Sequence, residues 1–555
     1  MARNDTRARL SPPLVKPSRS ISLAGALVAL AAPHLTAQSP FFTPLITIGS
    51  DSDERARLGH LVGAPTGGYY LRSVSTRTPR LPGDTARLRW ALLSPEVTTV
   101  WNSWIPFSLN DGAMWASRGW NEDVRVGARL EWGRFFAILA PEFIASDNGS
   151  YEMPHPATTL PLPAGRNPLS SPWHTRPSID APLRFGTHRF SFGDPGQSTV
   201  GGRFGAVIAG LSTENEWWGA GIRNAIVLSN NAAGIPRAFV RTGRPQHTRI
   251  GTIEGSWFLG GLFESHYFDN EWQDDRRSIS GIALTWRPTF EPDLTLGFAR
   301  TVYASMLGWD RLPTHLFDVL RNRGTRVTPD SGAVNSREQI AALSGRWVFP
   351  AARFAAHFEW ARTELPTSLR DFLTSPTHSQ GYTLGLEWAT PVGPSPNLLR
   401  FQAEHTYLER SPSYRDRPLA SFYTSGSVAQ GYTQRGKVIG AAIGQGGSGH
   451  WLGLDYFMPT WRVGVQLGRV RWDDDALYRF PNVYYLNKWC AHDVSLFAGV
   501  TASHSGPWGR ISASLTRGER INMFFYHLTW CGSTADRIEI VDARNTTLDI
   551  RISAP

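Results

Sequence analysis

Residues 124 to 132 read Val-Arg-Val-Gly-Ala-Arg-Leu-Glu-Trp, so Val124, Val126, Ala128, Leu130 and Trp132 alternate with Arg125, Gly127, Arg129 and Glu131. Successive side chains of a strand point to opposite faces, and this period of two puts an apolar row on one face and a charged row on the other. The pattern recurs where Tyr382, Leu384, Leu386 and Trp388 alternate with Thr383, Gly385 and Glu387, and again at 354–360, 399–403, 461–467 and 548–552. A soluble sandwich alternates too, so the ends of the rows carry the distinction. Apolar rows finish on Trp132, Trp286, Trp360 and Trp388, where a lipid-facing strand places its interfacial aromatic girdle. The opposite rows hold Arg, Glu and Gln, suited to a wet lumen. The expectation is all-β: a large antiparallel transmembrane β-barrel of about 16 to 20 strands, at roughly 28 residues per strand and connection, with short N-terminal helical segments.

Composition agrees with that class. A chain of 555 residues with 41% hydrophobic residues, mean hydropathy of -0.26, 53 Gly, 22 Trp and 28 Phe is neither disordered nor an α-helical membrane protein. Arg3, Arg7, Arg9, Lys16 and Arg19 precede an apolar run over 21–32, and Leu35-Thr36-Ala37 offers a cut near Gln38. This is the layout of a signal peptide over residues 1–37. The run is shorter than the roughly 20 apolar residues of a membrane-spanning helix. Removing the five basic residues and Asp5 of that leader takes the formal charge from +10 to +6, and no basic run marks a nucleic-acid partner.

The domain reading is a signal peptide over 1–37, an N-terminal segment over 38–120 with short helices, and a barrel over 121–555. Two helices are expected in the middle part. Asp51 and Glu54 form a capping box ahead of Leu58 and Leu61, and Ser94-Pro95-Glu96 opens a stretch whose Val97, Val100, Trp101 and Trp104 stand at helical spacing. The polar or Pro/Gly-rich stretches 153–182, 311–335, 363–378 and 411–430 are expected as extracellular loops. The stretch from Arg287-Pro288 to Pro292-Asp293 is expected as a periplasmic turn.

The densest block is 214–236, Glu-Asn-Glu-Trp-Trp-Gly-Ala-Gly-Ile-Arg-Asn-Ala-Ile-Val-Leu-Ser-Asn-Asn-Ala-Ala-Gly-Ile-Pro. Paired indoles beside glycines and asparagines are poor material for a plain core strand. They suit a sugar, whose apolar ring face stacks on an indole while Asn and Arg donors reach hydroxyls or a carboxylate. Trp217 and Trp218 are the candidate platforms, Arg223 the group for acidic sugars, and Asn224, Asn230 and Asn231 the groups for hydroxyls. The competing reading is that the block shapes an internal turn of the barrel.

That block resembles the signature of the capsule assembly Wzi family in Glu214-Asn215-Glu216-Trp217-Trp218-Gly219, Gly221-Ile222-Arg223-Asn224 and Leu228-Ser229-Asn230-Asn231-Ala232. Asn110-Asp111-Gly112-Ala113-Met114-Trp115, Arg244-Pro245 with Gly251-Thr252-Ile253-Glu254, and Gln430-Gly431-Tyr432-Thr433-Gln434-Arg435-Gly436 follow in the family's order. The resemblance implies an outer-membrane β-barrel lectin that helps anchor or assemble capsular or extracellular polysaccharide, with the 38–120 segment as a plug of the lumen or a brace at its periplasmic end, and with outer-membrane lipid and capsule export machinery as further partners. Two departures stand out: 231–236 lacks the Pro and Phe expected around Gly234, and the chain ends Ser553-Ala554-Pro555 rather than on an aromatic residue. A porin or sugar-permeable channel and an outer-membrane hydrolase are the alternatives.

Enzyme and cofactor motifs fail. Gly431 to Lys437 opens like a phosphate-binding loop, yet Val438 stands where Ser or Thr must hold magnesium. Gly446-Gly447-Ser448-Gly449 is not a nucleophile elbow, and no Cys/His cluster points to zinc or another cofactor. Glu214 and Glu216 as a glycosidase pair and Asp473-Asp474-Asp475 as a calcium site are weighed and set below plain structural roles. The lone histidines His247 and His492 read as structural hydrogen-bonding groups. Cys490 and Cys531 are both exported, so a disulfide and two buried thiols both remain open. Lysine occurs only at 16, 437 and 488; a biased genome explains this, and arginine's planar fork also suits acidic glycans.

Overall fold

The computed structural model describes residues 42–64, 70–153, 169, 179–269, 275–321, 337–479, 492–525 and 542–554. The expected leader and both cysteines lie outside the described residues. Eighteen antiparallel strands form a closed barrel. In chain order they are β1 (Arg89–Asn102), β2 (Gly119–Trp132), β3 (Phe135–Leu139 with Glu142–Ser146), β4 (Phe190–Asp194 with Thr199–Phe204), β5 (Val207–Ser212) and β6 (Arg237–Thr242 with Gln246–Thr248). Next come β7 (Gly251–Phe263), β8 (Arg276–Pro288), β9 (Leu294–Ser305), β10 (Arg337–Phe349), β11 (Phe354–Arg362) and β12 (Gln380–Pro391). The last are β13 (Leu398–Tyr407), β14 (Ser448–Phe457), β15 (Trp461–Trp472), β16 (Asp493–Gly506), β17 (Gly509–Ile521) and β18 (Ala543–Ser553). Each pairs with its chain neighbours, and β18 pairs with β1, Ile550 opposite Thr99, to close the ring.

The alternation places its rows as the sequence predicts. Arg125, Arg129 and Glu131 of β2 are buried in the lumen while Trp132 is 61% exposed. On β12, Thr383 and Glu387 are buried and Leu384, Leu386 and Trp388 are exposed outside. No helix among the described residues is long and apolar enough to cross a membrane; the strands do so. The connections 133–134, 205–206, 249–250, 289–293, 350–353, 392–397, 458–460 and 507–508 are short turns, all at one end. Those at the other end, such as 147–189, 306–336, 363–379 and 408–447, are long. Outer-membrane barrels keep short turns on the periplasmic side, which assigns the long connections to the cell exterior. The stretch 287–293 is thus a periplasmic turn as expected, and the expected loop 363–378 lies at the exterior end; most of 153–182 and 311–335 lies outside the described residues, and 411–430 belongs to a connection that turns into the barrel.

One helix expected from sequence is a strand. Residues 94–102 belong to β1, with a register irregularity between Leu93 and Glu96 at Ser94-Pro95. The run Val97-Thr98-Thr99-Val100 is β-branched and fits a pleated surface, and pairing with β18 and β2 decides the matter against the helical spacing. The barrel therefore starts at Arg89, ahead of residue 121. The other expected helix forms. This helix, α1 (Asp51–Leu61), is capped by Ser50, whose Oγ accepts from the Asp53 N–H, rather than by Asp51 with Glu54. Asp51 instead accepts from Arg55 at 2.7 Å and from Ser503 Oγ at 2.7 Å.

Helix α1 lies inside the barrel at the short-turn end. Leu58 and Leu61 pack against Val348, Ala355, Ala389 and Phe457 of the wall. Its polar side is bound by charge: Arg57 donates to Glu387 at 2.7 and 2.8 Å, Arg400 donates to Glu54 at 2.7 Å, and Arg55 reaches the carbonyls of Met458 and Trp461. Burial alone would raise the Glu54 carboxyl, but the guanidiniums of Arg400 and Arg462 outweigh it and hold it down at about 2.

Two outcomes are expected. Without Arg57, Glu387 keeps its wall donors Arg346 and Gln402 at 3.1 and 2.9 Å, but two charge-assisted bonds of about 1.5–3 kcal/mol each are lost. Arg57→Ala should therefore lower the urea midpoint of the folded barrel and open residues 44–88 to protease, whereas unchanged protection would show that the pair does not hold the helix. Second, Glu54 has its pKa lowered on folding, so its contribution is complete above pH 4.5 and is lost as pH falls toward about 2. Protease protection of the same segment, followed from pH 6 to 2, should decline over that window in the wild type and more flatly in Glu54→Gln.

Candidate functional site

The connection between β5 and β6 does not stay outside; it turns into the lumen. Glu216–Trp218 pairs antiparallel with Leu71–Ser73 of the N-terminal segment. Gly219 then adopts φ +131°, and a Cβ there would stand 3.0 Å from Glu359 Oε2. The chain next presents successive backbone donors to the wall. The N–H groups of Ile222, Arg223 and Asn224 all bond to Glu404, those of Arg223 and Asn224 at 3.0 and 2.9 Å, and Ile226 N–H bonds to both oxygens of Glu359 at 3.2 Å. Two inward carboxylates of β13 and β11 thus fix the loop through its main chain, with the glycines allowing the approach.

The connection between β13 and β14 also enters the barrel and knits to the first. Tyr423 and Tyr432 donate to the carbonyls of Ile226 and Val227, each at 2.8 Å. Ser229 Oγ donates to Gly440 O at 2.6 Å and Asn231 Nδ2 to Val438 O at 2.8 Å. Lys437, buried with its ammonium on the carbonyls of Met114 and Gly112, has its pKa pushed down by burial to about 8. This is the lysine of the apparent phosphate loop, and its work is to tie 108–114 to the plug.

The six residues singled out from sequence divide into two groups. Trp218 donates its indole N–H to Glu216 at 2.8 Å and lies edge-on to Phe258 in the main core, and Asn231 bridges Val438 and Asn110. Trp217, Arg223, Asn224 and Asn230 instead line one lumen cavity of about 300 Å3, bounded on the other side by the inward rows of β14 to β18 and β1. Arg223 lies over the ring of Trp451 at 4.2 Å and donates to Gln466 at 3.3 Å. Trp217 carries the Arg72 guanidinium on its ring at 5.1 Å. Around this cavity Trp217 Nε1, Arg223 Nε, Asn230 Oδ1 and Asn110 Oδ1 are buried without a hydrogen-bond partner among the described residues. Buried polar atoms are nearly always satisfied by protein or ordered water, so this side of the cavity is polar.

Sequence reading did not single out Trp451, Gln466, Glu359 or Glu404. Their signal was present only as inward positions on alternating strands. A second cavity of about 260 Å3 lies at the exterior end, lined by Trp115, Phe185, Trp472, Gln445 and Arg520 among others. Trp115 and Phe185 stand 4.8 Å apart. Phe107, Ala442 and Ile443 line both cavities, which therefore share a wall.

The carboxylates weighed for catalysis are occupied. Glu214 accepts from Ser75 N–H and Oγ at 2.7 and 2.6 Å and pairs with Arg241 at 3.2 Å; Glu216 pairs with Arg237 at 2.9 Å. Asp474 pairs with Arg471 and His492 at 2.7 and 2.9 Å, and Asp475 accepts from the Arg410 N–H at 3.0 Å. His247 contacts Thr252 Oγ1 at 3.1 Å. Among the described residues no group of three or more Asp, Glu, His or Cys could hold a metal.

The sequence profile of the capsule assembly protein Wzi matches residues 106–517. The chain belongs to the Wzi family. The solved structure of Escherichia coli Wzi, described as a carbohydrate-binding β-barrel of the outer membrane involved in group 1 capsule assembly, superposes with a TM-score of 0.56 at 10% identity, covering 92% of this chain and 99% of that one. OccAB2 of Acinetobacter baumannii aligns with a TM-score of 0.37 at 10% identity, covering 83% and 97%. No curated protein sequence matches. This Wzi-family chain is an outer-membrane β-barrel in which the family block is folded into the lumen.

Glu404→Gln removes the negative charge that receives three main-chain donors. Charge-assisted bonds contribute about 1.5–3 kcal/mol each, so amide exchange at residues 222–226 should rise by at least tenfold while exchange in the β14–β15 hairpin stays as it was. Equal exchange in both variants would show that the loop is held by its side-chain packing instead.

Proposed function

We propose that this Wzi-family barrel is a non-catalytic lectin that holds capsular or other extracellular polysaccharide at the cell surface. The observation that carries this reading is the cluster of unpartnered polar atoms on Trp217, Arg223, Asn230 and Asn110 around one cavity, beside an exterior cavity with aromatic walls. A sugar ring stacks on Trp115 or Phe185 at the surface, and a branch or acidic substituent reaches past Phe107 and Ile443 to Arg223, Asn224 and Asn230. Trp217 contributes its indole N–H, and Trp218 and Asn231 keep the loop in shape. What Escherichia coli Wzi is described as binding supports the same class of ligand.

Holding is favoured over conduction because the inserted connections and α1 occupy the lumen, and over hydrolysis because Glu214 and Glu216 are each engaged by arginine. Outer-membrane lipid surrounds the apolar outer rows, and the export machinery that delivers the polymer is the expected neighbour on the cell.

The test is the division of polysaccharide between cells and medium in a deletion strain complemented with variants. Trp115→Ala with Arg223→Ala should release most of the polymer to the medium at unchanged total synthesis and unchanged protein level, while Trp217→Ala with Trp218→Ala should act mainly by lowering the amount of folded barrel. Attachment that survives the deletion itself would overturn the anchoring role.

A further inference from the structure

A third cavity, of about 380 Å3, lies at the periplasmic end between the inward rows of β2 to β7 and residues 71–80 of the N-terminal segment. It takes no part in the surface-lectin reading. Its lining is arginine-rich, and the acids behind it are shared. Glu131 alone pairs with Arg89, Arg129 and Arg203, at 2.8, 2.7 and 3.4 Å. Arg80 and Arg244 stand exposed where the cavity opens and have no acidic partner among the described residues. The acids on the lining are already engaged: Glu216 by Arg237 and Trp218, and Glu254 by Thr285 and the field of Arg287. The local charge is therefore positive.

Two buried polar atoms on this lining lack hydrogen-bond partners among the described residues: the Ser256 hydroxyl, on a residue 5% exposed, and Arg241 Nε, on a residue 6% exposed. Arg203 lies 4.3 Å over the ring of Phe136, which steadies its guanidinium. Planar guanidiniums pair in a bidentate way with carboxylates and phosphates. The volume falls in the range of about 300–1,000 Å3 of small-molecule sites and exceeds what one bare phosphate fills. Apolar surface from Phe136 and Ile208, with the hydroxyls of Thr242 and Ser256, supplies contacts that a sugar ring uses and a simple anion does not.

We propose that this cavity is a periplasm-facing binding site for an acidic oligosaccharide segment, with uronate carboxylates on Arg203 and the rim pair Arg80 and Arg244. It opens toward the periplasmic end, and it is separated from the lumen cavity by the inserted strand Glu216–Trp218.

Isothermal titration calorimetry on the full-length barrel in a neutral detergent tests the site, with trigalacturonate as probe and maltotriose and inorganic phosphate as comparisons. Trigalacturonate should bind at low salt, with affinity at least tenfold above that of maltotriose. Arg80→Gln with Arg244→Gln, both exposed and outside the buried ion pairs, should weaken it at least tenfold while heat-modifiable gel migration stays as in the wild type; Arg203→Gln should weaken it further. Trp115→Ala with Arg223→Ala should leave this affinity in place, which separates the periplasmic site from the surface-lectin reading. Affinity unchanged in the rim variant, or lost only in the Trp115/Arg223 variant, overturns the assignment. So does binding of phosphate without trigalacturonate, which makes the cavity a simple anion site, and so does no binding at all.

Discussion

Alternation turns every second side chain of the wall into the lumen, and those inward rows are rich in charge. The structure depends on how three inward carboxylates meet that condition. Glu387 takes Arg57 of α1, and Glu404 and Glu359 take the main-chain N–H groups of 222–226. A buried carboxylate with no donor is costly, so wall and contents are mutually required. If the inserted segments left, Glu404 and Glu359 would lose their main-chain donors at 222–226, while Glu387 would keep only its wall partners Arg346 and Gln402.

This explains the character of the family block better than sugar chemistry alone does. Gly219 and Gly221 are there because backbone must approach a carboxylate or turn on itself: a Cβ on Gly221 would stand 2.3 Å from Asn224 O. Trp218 closes the core against Phe258. The same fold leaves Trp217, Arg223 and Asn230 around a cavity with polar atoms unmet. One short stretch therefore serves both the packing and the candidate site, which is why its residues could not be sorted by type.

The outer architecture was legible because a strand's alternation is local: each row from Val124 to Trp132 or Tyr382 to Trp388 declares its two faces without reference to any partner. The stretch 94–104 was misread because Val97, Val100, Trp101 and Trp104 satisfy the helical spacing, while the pairing that makes it a strand comes from β2 on one side and, on the other, from β18 more than four hundred positions away. The site was half legible. Composition marked 214–236 as special, but Trp451 and Gln466 joined it only through the ring closure of the barrel, and Glu404 looked like any other inward acid. The capping of α1 moved by one residue because Asp51 found a better partner in Arg55 and Ser503 than in its own helix end.

The seam between β18 and β1 also bears on the order of assembly. The strand that completes the ring is the last one, and the segment carrying α1 precedes the first. Until residues 543–553 dock against 96–102, the wall is an open sheet with a free edge and the lumen is a groove. The N-terminal segment can be laid into that groove from the side. Once the seam is made, two inserted connections fill much of the exterior end, and a folded helix can no longer be laid in from the side. The wall is thus wound around α1, and sealing is the step that makes the contents permanent.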